Sequence, residues 1–196
     1  MTSSYAAVVR HVRGVLFVDY VRMLRRVKHI DWASLLPQQD ATYLQTQVDP
    51  DGWYPMSTFE RFGEQILQHV AQGHLAMVQM WGRYSAGQLR AAHPQLLEPG
   101  DPVETLRRFH VMRQTFFDFD ALQVVMLHAD EAALVIRYHM GMPAEEAAAY
   151  QTVGFFEGLL ELAGARDIKS TFRECSWKGQ PRTFVELTWY PPPDAN

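Results

Sequence analysis

The sequence predicts an α+β fold, with a helical N-terminal half followed by a ββαββ antiparallel sheet packed by helices. Three observations predict it. Up to about residue 120 the apolar residues recur at helical spacing, and beyond it four runs carry the period of a strand. A single long helix-like segment then divides those four runs into two pairs. A chain of 196 residues is long enough to bury its own core without a disulfide or metal staple. It reads as one domain over 1–190, with a helical part at about 1–120, a sheet part at about 121–190 and a disordered tail, "PPPDAN", at 191–196.

The elements follow in order. From Gly14 to His29, Leu16, Phe17, Tyr20, Val21, Leu24 and Val27 give the spacing of a one-faced helix. "PDGWYP" is a turn-rich connector, and "STFE" after it offers Ser57 as a helix cap with Glu60 reaching back. Phe59, Phe62, Ile66, Leu67 and Val70 line one side of that helix. Gly73 interrupts it, and "HLAMVQMWGRY" resumes with Leu75, Val78 and Trp81. "HPQLLEPGDP" is a linker into a capped start, with Asp101 as cap, Pro102 at the first helical position and Glu104 three past the cap. This helix is expected to run to about Phe117. "LQVVMLH" and "ALVIRYH" form a hairpin across "ADEA", and "IKSTFREC" and "RTFVELTWY" form another across "SWKGQP". Between the pairs, "PAEEAAAYQTVGFFEGLLELAGA" is a helix opened by Pro143 and closed near Gly164. Its Gly154 and Gly158 lie on one side and allow close approach of a neighbouring helix or the sheet, at a cost of about 1 kcal/mol each against alanine.

Composition excludes several function classes. The net charge is −4, with both signs scattered, so no broad nucleic-acid footprint is present. The most basic stretch, "RMLRRVKH", has apolar residues at helical spacing and reads as a solvated helix face. The single cysteine, Cys175, excludes an internal disulfide or a multi-cysteine metal site and reads as inert packing in a strand. No apolar stretch approaches the roughly 18 residues of a membrane span, and no cleavable leader is apparent, so the expected location is the cytoplasm. Phosphate-cradling loops, nucleophile elbows and zinc-protease motifs are missing, which leaves no catalytic residue to name and points away from an enzyme. The histidine spacings, His69 with His74 and His128 with His139, do not build a metal site. Glu157, Glu161 and Tyr150 on the long helix are the residues an unrecognised enzyme site would draw on, although helix carboxylates four apart are usually solvated.

His110 and Arg113 stand out. On a wheel carried through residue 117, both fall in the arc of Val103, Leu106 and Phe117. The bland reading of His110 is an imidazole hydrogen-bonded to a backbone carbonyl; the functional one is an axial ligand or a polar anchor in an apolar pocket. A buried Arg113 must be paired by a carboxylate or an anionic ligand.

The segment "LRRFHVMRQTFF…ALQVVMLHADEAALVIRYHMGMP…VGFFEGLLELAG…RTFVELTW" resembles the C-terminal half of heme nitric-oxide/oxygen-binding (H-NOX) domains, in the superfamily that also holds vinyl-reductase-type ligand domains and TRAPP subunits. Within it the chain is similar to a bacterial family expanded in myxobacteria, sharing Gly14, Leu16 and Phe17 of a "G-x-L-F" helix and Tyr54–Pro55 before a long helix. The resemblance implies heme ligation from the position of His110. It also implies a propionate-gripping Tyr-x-Ser-x-Arg motif, of which Tyr138 is kept while Met140 and Met142 replace the serine and arginine. That loss removes charge-assisted hydrogen bonds of about 1.5–3 kcal/mol each. Arg137 is no substitute, because strand alternation points it away from Tyr138.

The expected ligand pocket therefore comprises His110, Arg113, Phe117, Tyr138, Met140 and Met142, between the His110 helix and the strand bearing Tyr138. The expected function is a non-catalytic binding, scaffold or sensory domain in signalling. It holds no cofactor and docks a protein partner, a second copy of itself included, under the control of an apolar small molecule. The aromatics of "GWYP" and Trp177 serve either as that interface or as caps on the core. The alternative is a heme-based gas sensor using His110 as axial ligand and Tyr138 as a second heme contact.

Overall fold

In a computed structural model that describes residues 9–192, the chain runs through β1 (His11–Arg13), α1 (Gly14–Arg26), α2 (Trp32–Leu35) and α3 (Gln38–Tyr43). It continues through β2 (Trp53–Pro55), α4 (Met56–Gln65), α5 (Leu75–Ala92) and α6 (Pro102–Met112). The C-terminal unit is β3 (Leu122–Leu127), β4 (Glu131–Ile136), α7 (Ala144–Leu162), β5 (Arg166–Glu174) and β6 (Thr183–Tyr190). The expected tail at 191–196 lies mostly outside the described residues.

The sheet is four-stranded and antiparallel in the order β3-β4-β6-β5, so each hairpin supplies one central and one edge strand. Ala132 to Ile136 of the central β4 are all buried. α7 has thirteen buried positions, and it packs between the sheet and α5. The two glycines singled out in the sequence explain how α5 comes so close. A Cβ at Gly154 would lie 2.7 Å from the Gln79 carbonyl carbon, and one at Gly158 would lie 2.6 Å from the Arg83 oxygen. Gly82 is the reciprocal contact on α5, where a Cβ would sit 2.8 Å from the Phe155 nitrogen. Backbone thus packs on backbone, which only glycine permits.

The N-terminal layer is held by aromatic rings. α1 buries Phe17, Tyr20, Val21 and Leu24 at the expected spacing. Phe17 stacks on Tyr54 with centroids 4.5 Å apart, and Tyr20 stacks on Phe59 at 4.0 Å. Such pairs add about 0.5–1.5 kcal/mol each beyond their buried area. Tyr54 is thus half-buried against the core, as is Trp177, which packs against Phe172 at 5.3 Å; of the aromatics expected at an interface, Trp53 is the exposed one.

Several local expectations are corrected. α4 begins at Met56 without a side-chain cap, so Ser57 lies inside the helix and Glu60 accepts from Gly141 N–H at 2.6 Å instead. α6 ends at Met112 and gives way to a 3-10 turn at Arg113–Thr115, so it does not reach Phe117. The small β1–β2 ribbon was not expected. Two three-residue strands carry too little pattern to read, and besides pairing with β2, β1 is bonded to residues 116–118: Arg13 N–H donates to the Phe116 carbonyl at 2.8 Å. The Asp101 cap is present, accepting from Glu104 N–H at 2.8 Å.

Candidate functional site

A cavity of about 80 Å³ lies where the N-terminal layer meets the C-terminal unit. α1 contributes Leu16, Asp19 and Tyr20, α4 contributes Phe59, and α5 contributes Ser85 and Leu89. Phe109 of α6 and Phe116 and Phe117 after it form the far wall, with Leu122 from β3 and Tyr138, which lies two residues past the end of β4 and so outside the strand expected to carry it. Ala148, Gln151, Thr152 and Phe155 of α7 complete it. Half-buried Leu16, Asp19, Ser85, Gln151 and Phe155 mark its mouth. A second void of about 10 Å³, lined by Met140 among others, lies on the other side of Tyr20, Phe59 and Gln151.

The polar groups of the wall bond to one another. Tyr138 Oη and Thr152 Oγ1 are 2.7 Å apart, and Thr152 Oγ1 also donates to the Ala148 carbonyl at 2.8 Å. Tyr20 donates to Gln151 Oε1, and Ser85 donates to the Gly82 carbonyl at 2.7 Å. Burial pushes both phenols far up, so Tyr20 and Tyr138 stay protonated. Asp19 is the charged member; burial raises its carboxyl against the pull of Arg22, which donates to it at 3.2 Å.

The six residues expected to share a pocket are divided. Phe117 and Tyr138 do share the cavity, with ring centroids 5.7 Å apart, and Met140 lines the adjoining void. His110 does not face it. It lines an open surface recess with Val111, Val124 and Val125, and its Nδ1 accepts from Val124 N–H at 3.4 Å. Burial, then the Arg113 charge, lowers its pKa, which suits an acceptor nitrogen. Arg113 lies in another surface depression with Asp118 and Asp120 and donates to the His110 carbonyl. Met142 is exposed.

The error has a physical source. Pro102, Thr105, Leu106 and Phe109 are the buried face of α6. Carrying the wheel on to Phe117, beyond the real helix end, turned the expected arc toward His110 and away from Phe109. The i, i+3, i+4, i+7 series from Pro102 was the signal that could have identified Phe109. Tyr20, Gln151 and Thr152 were missed because their meeting is a long-range contact. The carboxylates suggested for an enzyme are also engaged: Glu157 is buried and accepts from Gln79 Nε2 at 2.9 Å, Arg83 Nε at 3.0 Å and Ser170 Oγ at 2.7 Å. Glu161 pairs with Arg83 at 2.5 Å. Cys175 is buried, with its thiol pushed up by desolvation.

No protein-family model matches the chain, and no curated protein matches it in sequence. Solved structures do match. An H-NOX protein from S. oneidensis in the Fe(II)NO ligation state superposes with a TM-score of 0.62 at 12% identity, covering 91% of this chain and 99% of that one. An oxygen-binding H-NOX domain related to soluble guanylate cyclases gives 0.61 at 13% identity, over 94% and 98%. The unliganded Fe(II) H-NOX protein from K. algicida gives 0.61 at 10% identity, over 94% and 100%. The chain has the H-NOX fold.

An H-NOX fold implies heme, and the residues here can be tested against it. Among the residues lining the cavity there is no histidine or cysteine, and both phenols are held protonated by burial. Heme carries two carboxylates, yet the lining includes no lysine or arginine and does include Asp19. The volume is well below the ~300–1,000 Å³ of ordinary cofactor sites. These residues do not fit heme. Among the described residues no cluster of three metal-ligating side chains occurs, and no helix is long and apolar enough to cross a membrane.

Proposed function

We propose that the chain is a non-catalytic sensory or binding domain whose interior takes a small apolar molecule and whose surface docks a protein partner. The observation that carries this reading is the aromatic cavity between α1 and α7, bounded by both layers of the fold. A molecule entering there touches α1 on one side and the sheet on the other, so its occupancy bears on how the layers meet. Met80 and Tyr84, one turn apart on the outer face of α5, are exposed and supply an apolar surface for a partner, with a second copy of the chain the simplest candidate.

The test is xenon uptake together with oligomeric state. Xenon should occupy a single site against Phe109, Phe117 and Tyr138, and filling the site with Ala148→Phe should abolish it. Sedimentation should show self-association that Tyr84→Glu weakens. A monomer whose centre takes up no xenon overturns the reading. The second reading, a heme-based gas sensor using His110, has the fold likeness in its favour and the lining residues against it.

A further inference from the structure

We infer that the cavity selects a small, uncharged hydrogen-bond donor, an alcohol-like molecule of about five heavy atoms or fewer. This rests on the cavity being a ligand site, and it follows from where the wall's protons go.

Size sets the first limit. About 80 Å³ is roughly half the ~150 Å³ of an apolar cavity that takes benzene or xenon. Charge sets the second. Asp19 at the mouth disfavours an anion. A cation meets Asp19 already bonded to Arg22, so it would enter an apolar site without a free counter-charge.

The hydroxyls set the third limit. Thr152 has one hydroxyl proton, and it goes to the Ala148 carbonyl at 2.8 Å. Tyr138 must therefore be the donor in the 2.7 Å bond to Thr152. Its oxygen keeps lone pairs but has no proton to offer. Tyr20 is in the same position, its proton committed to Gln151, and at the mouth Ser85 likewise commits its proton to Gly82 at 2.7 Å. The interior thus presents acceptors, and the wall side chain with protons to spare, the Gln151 amide, stands at the mouth. A guest with a hydroxyl gains a bond inside, whereas a carbonyl guest of the same shape finds no donor beyond the Gln151 amide at the mouth.

Propan-2-ol and acetone, both uncharged and of equal heavy-atom count, separate the cases when titrated into methyl-labelled protein and followed by NMR shifts of Leu16, Leu89 and Leu122. Propan-2-ol should bind about fivefold more tightly than acetone, the factor expected from one hydrogen bond. Tyr138→Phe should reduce that preference while keeping xenon uptake. Thr152→Val should reverse it, because it releases the Tyr138 proton for a carbonyl guest. Equal affinities, or an acetone preference in the unaltered protein, would overturn the inference with the cavity intact. Absence of xenon uptake as well would overturn the underlying ligand-site reading.

Discussion

Replacing Gly154 by alanine tests the closest contact in the fold. In an isolated helix the change would stabilise by about 1 kcal/mol. Here the new methyl would stand 2.7 Å from the Gln79 carbonyl carbon and 3.1 Å from its Cα, so α5 and α7 must separate. Neither contact atom is a side chain that can rotate away. Overpacking of this kind costs typically about 1–3 kcal/mol, and forced backbone contact sits at the upper end. The expected net effect is a loss of about 2 kcal/mol, or roughly 4–8 °C in Tm for a chain of this size. Gly87→Ala is the matched control. It lies on the outer face of α5 with nothing within 4 Å of an added Cβ, so it should raise Tm by about 2–4 °C. Calorimetry of the two variants should therefore give opposite signs. A Gly154→Ala protein that gains stability as Gly87→Ala does would refute the close helix packing that forms one wall of the cavity.

Three further outcomes are expected. Burial raises the Asp19 carboxyl, so the stability tied to its protonated form is present below the unfolded-state pKa and lost as pH rises through the folded one. Urea melts of Asp19→Asn should show a flatter pH dependence and no loss of stability at neutral pH; a clear loss there would mean that Arg22 holds the carboxylate more strongly than burial opposes it. His110 is shifted the other way, mainly by burial and then by Arg113, so its contribution is full above about 6.5 and lost as pH falls through its folded value. Wild type should therefore weaken relative to His110→Gln on mild acidification, and parallel curves would contradict the Val124 contact. Asp101→Ala removes the α6 cap and should cost about 1 kcal/mol by chemical denaturation; an unchanged midpoint would remove the cap from the account of that helix.

Much of the fold was legible because period and turn chemistry are local. The switch from helical to alternating spacing near residue 120 located the sheet, and Asp101–Pro102 marked the start of α6. Gly154 and Gly158 announced a close neighbour, although not that the neighbour was α5. The site was less legible. Tyr138 was found through resemblance and Phe117 on a wheel extended past Met112, but both that wheel and the resemblance drew in His110, which lines a surface recess instead. Tyr20 and Gln151 are 131 positions apart, and no local pattern links them. The β1–β2 ribbon escaped for the same reason: three residues cannot show a period, and the strand is fixed by its bonds to residues 116–118.

The most direct test of an H-NOX fold closed on its own side chains is a heme titration of the purified protein, read by absorbance. With Phe109, Phe116 and Phe117 lining the cavity wall and His110 directed at β3, wild type and His110→Ala should give the same spectrum as free heme. A Soret band in the wild type that disappears in His110→Ala would contradict it.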